Sequence, residues 1–175
     1  MMWIFFSFDF LLFTIYFSFF YLNIELYTDG AARGNPGRGG YGVVLIFGHH
    51  RKELSKGFKH TTNNRMELMA VIEGLKAVKK NHVPITIYSD SKYVVDAVTK
   101  GWLDNWIKTN FRGGKKNRDL WEEYYELAKN FQIKFVWVKG HADNVHNNRC
   151  DILATEAADG KNLATDEQYE AGVNG

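Results

Sequence analysis

The sequence predicts an α/β domain with a central five-stranded mixed sheet flanked by helices. Three observations lead there. Apolar runs and helical patterns follow one another in the order βββαβααβα, where the helical stretch after the fourth strand is itself broken in two. The first three strands are joined by short glycine-containing turns, which makes them an antiparallel meander. The fourth strand follows a long amphipathic helix, so it is reached by a crossover and runs parallel to a neighbour. A chain of 175 residues is long enough for one such domain with its own core.

The first strand is "NIELYTD" (23–29), and it ends on a carboxylate, Asp29. The cluster "GNPGRGG" with Pro36 reads as a loose turn, and "GYGVVLIFG" (40–48) as the second strand. Gly37, Gly39 and Gly42 also spell G-x-G-x-x-G. That fingerprint holds a pyrophosphate only when a helix opens at its end, and here a β-branched strand follows. The hairpin reading is therefore preferred, and it turns attention to Asp29. "RKELSKGFK" (51–59) returns across the turn "GHH".

"TTNNRMELMAVIEGLKAVKK" is the clearest helix, with Leu68, Ile72, Leu75 and Lys79 at helical spacing and Thr62 or Asn63 able to cap it. Gly74 lies on one face with Glu67, Val71 and Val78, where a small residue would let the helix approach the sheet. "ITIYSD" (85–90) is a buried strand ending on Asp90, and "SKYVVDAVTKGWLDNWIK" reads as two short helices broken near Gly101. "NRDLWEEYYELAKN" (117–130) is a helix, "QIKFVWVKG" (132–140) the last strand and "HNNRCDILATEAAD" (146–159) the final helix. The domain spans 23–160, and the polar residues 161–175 are expected to fray.

A single cysteine, Cys150, excludes an internal disulfide framework and fits a reducing cytosol, where it would be a small packing residue. The formal net charge of +2 does not identify a partner, but its distribution is informative. Residues 108–118 carry five Lys/Arg and no acid, interleaved with Trp102, Trp106, Phe111 and Trp121. That pattern suits a surface that grips a nucleic-acid strand.

Residues 3–22, "WIFFSFDFLLFTIYFSFFYL", hold eight of the thirteen phenylalanines. Their length matches a membrane span, but they lack the basic region and cleavage site of a secretory signal, and Asp9 interrupts them. The composition is what T-rich DNA yields on translation, so residues 1–22 are read as upstream sequence from a misplaced start codon. The alternative is a membrane anchor.

Asp29 and Asp90 end strands that the crossover places side by side and parallel. Carboxyl ends of parallel strands are where open α/β sheets bind ligands. Glu67 lies about one turn into the long helix, and Asp151 early in the last helix, on a face with Ala154, Thr155 and Ala158. All four can point at one spot. Two carboxylates about 5 Å apart repel by roughly 3 kcal/mol at an effective dielectric near 20. Such a cluster suits hard divalent cations, and two Mg²⁺ about 3.5–4 Å apart are a common engine for attack at phosphorus.

The blocks "YTDGAARGNPGRGGYG", "TTNNRMELMA", "YSDSKYVVDAV", "WVKGHADNVHNNRCD" and "LATEAA" resemble bacterial type 1 ribonuclease H, in order from Ile24 to Asp159. The resemblance implies a ribonuclease H-like fold and endonucleolytic cleavage of the RNA strand of RNA–DNA hybrids, leaving a 3′-hydroxyl and a 5′-phosphate. It implies that Asp29, Glu67, Asp90 and Asp151 bind two Mg²⁺, with Mn²⁺ a possible substitute. His141, on a glycine-flanked loop, would assist protonation or product departure. Asn35, Asn63 and Asn64 match positions that contact the hybrid, where short amides suit sugar 2′-hydroxyls and minor-groove edges. Thr62 and Asn117 match a pocket for a phosphate of the DNA strand. Trp102 and Trp106 are open between packing and binding, and the resemblance favours Trp106 stacking beside the DNA sugar.

Two departures stand out. "NFRGGKK" replaces a longer lysine-rich protrusion, implying weaker or more salt-sensitive binding. His60 stands where some members carry an arginine near the phosphate pocket. A monomeric cytoplasmic enzyme with no obligatory protein partner is expected. The competing readings are a related polynucleotidyl transferase such as a resolvase or integrase core, a hybrid-binding module without catalysis, and a membrane-tethered form of the same nuclease. The second and fourth blocks argue against the first, and the presence of all four acids against the second.

Overall fold

The computed structural model describes residues 23–80 and 82–172. The readings of residues 1–22, as start-site artefact or anchor, lie outside the described residues. Five strands, β1 (Ile24–Gly34), β2 (Gly37–Phe47), β3 (His50–Thr61), β4 (Ile85–Ser89) and β5 (Ile133–Trp137), form one sheet in the order β3-β2-β1-β4-β5. β1, β2 and β3 are antiparallel neighbours; β4 is parallel to both β1 and β5. The mixed five-stranded α/β sheet is thus the predicted one, and Asp29 and Asp90 follow adjacent parallel register pairs ending at Thr28↔Ser89.

The first hairpin is longer than its sequence suggests. β1 and β2 stay paired to Gly34↔Gly37, so only Asn35 and Pro36 make the turn. The cluster "GNPGRGG", read as a loose loop, is mostly strand. A second strand supplies the partners for these backbone groups, which local glycine content does not reveal.

Among the described residues six helices accompany the sheet: α1 (Asn63–Lys76), α2 (Lys92–Thr99), α3 (Trp102–Lys108), α4 (Arg118–Ala128), α5 (Val145–Asp159) and α6 (Glu167–Glu170). The Thr62 side chain caps α1, accepting from Arg65 N. α2 and α3 break at Gly101, whose φ of 69° is left-handed, as expected for a residue without a Cβ. Strand alternation sends Leu26 and Tyr27 to opposite faces. Leu26, with Met66, Ile72, Ile87 and Trp121, belongs to the larger core under α1 and α4. Tyr27, Val44, Cys150 and Leu153 form the smaller core under α5. Gly42 lets the α5 backbone lie directly on β2, because a Cβ there would collide with the carbonyl of Cys150. On the α1 side Gly74 lies against the end of the Leu26 side chain, where a Cβ would crowd it.

Two expectations are corrected. Phe111 and Trp121, read as part of a strand-gripping surface, are core residues at 6% and 0% exposure. The Trp121 indole donates to the Tyr93 hydroxyl, and the ring packs edge-on against Trp106 and Tyr124. Of the residues expected to fray, those from Ala164 to Glu170 are held to the domain. Ala164 pairs with Phe58, exchanging backbone hydrogen bonds with Gly57 and Lys59, and α6 carries Tyr169 against His60. Asp166, 4% exposed, binds Arg65 and Thr61. No helix among the described residues is long and apolar enough to cross a membrane.

Candidate active site

Asp29 is in β1, and Asp90 immediately follows β4. Glu67 comes from the second turn of α1, which reaches β1 closely because Gly30 has no side chain: a Cβ there would overlap the Glu67 backbone. Ligand oxygens of Asp29, Glu67 and Asp90 lie within 4.8 Å of one another. At that spacing each ionised pair repels by roughly 3 kcal/mol at an effective dielectric near 20.

Little in the protein relieves that repulsion. Asp29 Oδ1 accepts the Gly30 N–H at 2.7 Å, and Glu67 Oε1 accepts from Asn63 Nδ2 at 3.3 Å. Glu67 Oε2 and Asp90 Oδ1 are buried and take no hydrogen bond. Burial, then the Asp90 charge, pushes the Asp29 carboxyl up to about 8, with Asp151 adding to the rise and the Gly30 N–H opposing it. Burial and the charges of Asp29 and Asp90 also hold Glu67 well above the usual carboxylate range. Converging acids with unpartnered buried oxygens are the donor set of a hard-cation site.

A pH dependence follows for the metal-free protein. Between the ordinary carboxylate pKa of about 4 and the value of about 8 for Asp29, the native state keeps protons the unfolded chain has released. Stability therefore falls as pH rises through that window. The melting temperature in chelator is expected to drop from pH 5 to pH 8, and Asp29→Asn is expected to flatten the profile. A melting temperature that rises over this range in chelator would show that the acids are not held together.

Asp151, expected at the same spot, is not in the three-residue cluster. It sits on α5 at the rim, with its side chain 37% exposed and Oδ2 3.7 Å from His141 Nδ1. It is near enough for its charge to reach Asp29. His141 is 81% exposed at its side chain, on a left-handed backbone with φ of 52° next to Gly140. The ring thus stands in solvent beside the acids.

The remaining expected residues divide into two groups. Asn35, at the β1–β2 turn, accepts the Asn63 N–H through Oδ1, which ties the hairpin tip to the start of α1. Asn64 is exposed and shares an open groove with Tyr93, Trp102, Trp106, Lys115 and Lys116. Trp102 is 44% exposed, and the Lys115 ammonium lies 5.8 Å from the Trp106 ring centroid. Asn117, by contrast, is buried, donating to the Tyr93 hydroxyl and accepting from Arg65 at 3.5 Å. Thr62 caps α1 nearby.

The residue holding this corner together is Arg65. It is fully buried and forms paired hydrogen bonds to both Asp119 and Asp166. Burial works against its charge, but the two carboxylates more than compensate and hold its pKa above the ordinary value. Nothing in the local pattern "NNRMEL" marks this arginine as buried, because its partners are 54 and 101 residues away.

The ribonuclease H family model matches residues 22–159, which contain the three clustered acids, Asp151, His141 and Arg65 but not Asp166. The chain belongs to the ribonuclease H family. It is 53% identical over 150 residues to the ribonuclease H of Syntrophus aciditrophicus, covering 83% of this chain and 86% of that protein. Among solved structures it is similar to LC9-RNase H1, described as a type 1 RNase H with the type 2 active-site motif, with 28% identity, a TM-score of 0.72 and coverage of 87% and 81%. It is also similar to LC11-RNase H1, solved in complex with an RNA/DNA hybrid, with 26% identity, a TM-score of 0.60 and coverage of 78% and 96%. As a ribonuclease H, the chain is a metal-dependent endonuclease that hydrolyses the RNA strand of RNA–DNA hybrids.

Proposed function

We propose that Asp29, Glu67, Asp90 and Asp151 hold two Mg²⁺, for which Mn²⁺ can substitute, and that His141 serves proton transfer or product departure. The observation that carries this reading is the Asp29–Glu67–Asp90 cluster, with Asp29 and Glu67 buried, Asp90 half-buried and two buried oxygens unpartnered. The bound cations would activate water for attack at phosphorus and stabilise the leaving oxygen. The protein's own part is to present charge from a rigid sheet edge and two helices, α1 and α5, so no reorganisation is needed when negative charge builds up on the phosphate. Water adds to phosphorus as the bond to the RNA 3′-oxygen breaks. That oxygen takes a proton, leaving a 3′-hydroxyl on one product and a 5′-phosphate on the other. His141, exposed to solvent and 3.7 Å from Asp151 Oδ2, would carry that proton or help the product leave.

Asn35, Asn63 and Asn64 are assigned to the sugar edge of the hybrid, and Thr62 with Asn117 to a DNA phosphate. Asn117 would act there through whichever of its hydrogen bonds a phosphate could replace. Trp102 and Trp106, with Lys115 and Lys116 around them, are assigned to the DNA strand. The enzyme is proposed to act as a cytoplasmic monomer without an obligatory protein partner.

The test is incubation with a labelled RNA–DNA hybrid, with and without Mg²⁺, beside single-stranded RNA, duplex DNA and a hybrid whose RNA is 2′-O-methylated. Only the unmodified hybrid with Mg²⁺ is expected to be cut. Equal cleavage of the methylated strand would remove the three asparagines from 2′-hydroxyl recognition.

The basic segment gives a second measurement. Arg118 is engaged with Glu122 and Asn110, whereas Lys115 and Lys116 are exposed and line the groove with Trp102 and Trp106. Replacing both lysines with Ala is expected to raise KM more than it lowers kcat. If each meets one phosphate, the slope of log affinity against log salt should flatten by up to about 2. An unchanged slope would place these lysines away from the hybrid.

A further inference from the structure

Asn147 is a buried polar residue that the reaction as drawn does not use. It lies on α5, one turn before Asp151 and therefore on the same helix face. Its residue exposure is 1%. Nδ2 donates to Asp90 Oδ2 at 3.3 Å, and Oδ1 is buried with no hydrogen-bond partner. Asp90 is held at a second point, because the Trp137 indole donates to its backbone carbonyl at 3.0 Å. Gly140 closes a third side: a Cβ there would collide with Asp90 Oδ2. One carboxylate oxygen of Asp90 is thus engaged, while the other, Oδ1, is buried and unpartnered.

We propose that Asn147 is a positioning residue, which ties Asp90 Oδ2 to α5 and so leaves Oδ1 as the oxygen Asp90 offers to a divalent cation. A buried amide oxygen without a donor is costly to keep, and an apolar residue of similar size would avoid that cost. The amide instead supplies what an apolar residue cannot. It fixes the rotamer of a carboxylate that neighbouring negative charge would otherwise turn away. It also links Asp90, after β4, to the helix that carries Asp151, so the acid at the rim and the acid in the cluster keep a set distance. The inference rests on the assignment of Asp90 as a cation ligand.

The experiment is a Mg²⁺ titration of the whole protein followed by thermal shift and calorimetry without hybrid, then steady-state kinetics with hybrid. The variants are Asn147→Ala, the near-isosteric Asn147→Leu, Asp90→Asn and the Asp90→Asn/Asn147→Ala double variant. Asn147→Ala is expected to weaken Mg²⁺ binding and to lower kcat, each about tenfold, the factor typical of lost support behind a metal ligand, with KM for the hybrid within twofold. In the Asp90→Asn background the same change should have no further effect on Mg²⁺ binding, since the group it positions is already lost. Asn147→Leu keeps the volume, so if the Ala variant fails to fold it carries the comparison. Unaltered Mg²⁺ affinity in Asn147→Ala or Asn147→Leu, with Asp90→Asn impaired, would overturn the positioning role alone. Unaltered Mg²⁺ affinity in Asp90→Asn would overturn the ligand assignment beneath it. A rise in KM at constant kcat would make Asn147 a hybrid contact and likewise overturn the proposal.

Discussion

Asp29→Asn, Glu67→Gln and Asp90→Asn should each lower hybrid cleavage by about a thousandfold or more, equivalent to roughly 4 kcal/mol of lost transition-state stabilisation. Each change keeps the shape of the side chain and removes one charge from a cluster whose ligand oxygens lie within 4.8 Å. The fold should gain. Relieving a repulsion of roughly 3 kcal/mol per ionised pair is expected to raise the melting temperature of the metal-free protein at pH 8 by several degrees. Loss of activity combined with gain in stability separates a cation site from a structural acid cluster. Asp151→Asn and His141→Ala act from the exposed rim and should leave measurable turnover. Activity like that of the native enzyme in any of the three cluster variants at saturating Mg²⁺ would remove that residue from the site.

Asp166→Ala should destabilise the protein by about 3 kcal/mol, the lower range for breaking a buried ion pair. Asp166 accepts three hydrogen bonds, two from Arg65 and one from Thr61. Its loss leaves a fully buried guanidinium with Asp119 as its remaining carboxylate partner. For a domain of this size the melting temperature should fall by about 6–12 °C. Tyr169→Ala, which removes only ring contacts with His60 and Arg65, should cost less than about 1 kcal/mol, the scale of a partly exposed aromatic or cation contact. A shift under 2 °C for Asp166→Ala would show that residues after Asp159 contribute nothing to the fold. Arg65 also touches Asn117 and caps the corner where Thr62 begins α1. Weakened hybrid binding in the Asp166 variant, measured well below its melting point, would connect this corner to the proposed phosphate pocket.

By itself the sequence determined the elements and the acids. Strand and helix periodicity is local, so the runs around Leu26, Ile87 and Leu68 identify their own conformations. The crossover through α1 is also a matter of chain connectivity. It makes β1 and β4 parallel neighbours and brings Asp29 and Asp90 to one edge. Glu67 followed from its place about one turn into a helix that Gly74 lets approach the sheet; the part played by Gly30 came only from the structure.

The tertiary structure alone decided how the charges divide. Asp151 carries the same charge as the other three acids, but its helix leaves it at the rim beside His141. Trp121 and Phe111 share the composition of a binding surface, yet lie in the core. The polar stretch after Asp159 is held by Arg65, whose carboxylate partners are 54 and 101 positions away. Asn147 lost water on folding and gained Asp90. In each case the outcome depends on burial and pairing across long sequence separations. A polar side chain buried among apolar neighbours survives only with a partner, and the chain supplies that partner from an element that local periodicity does not point to.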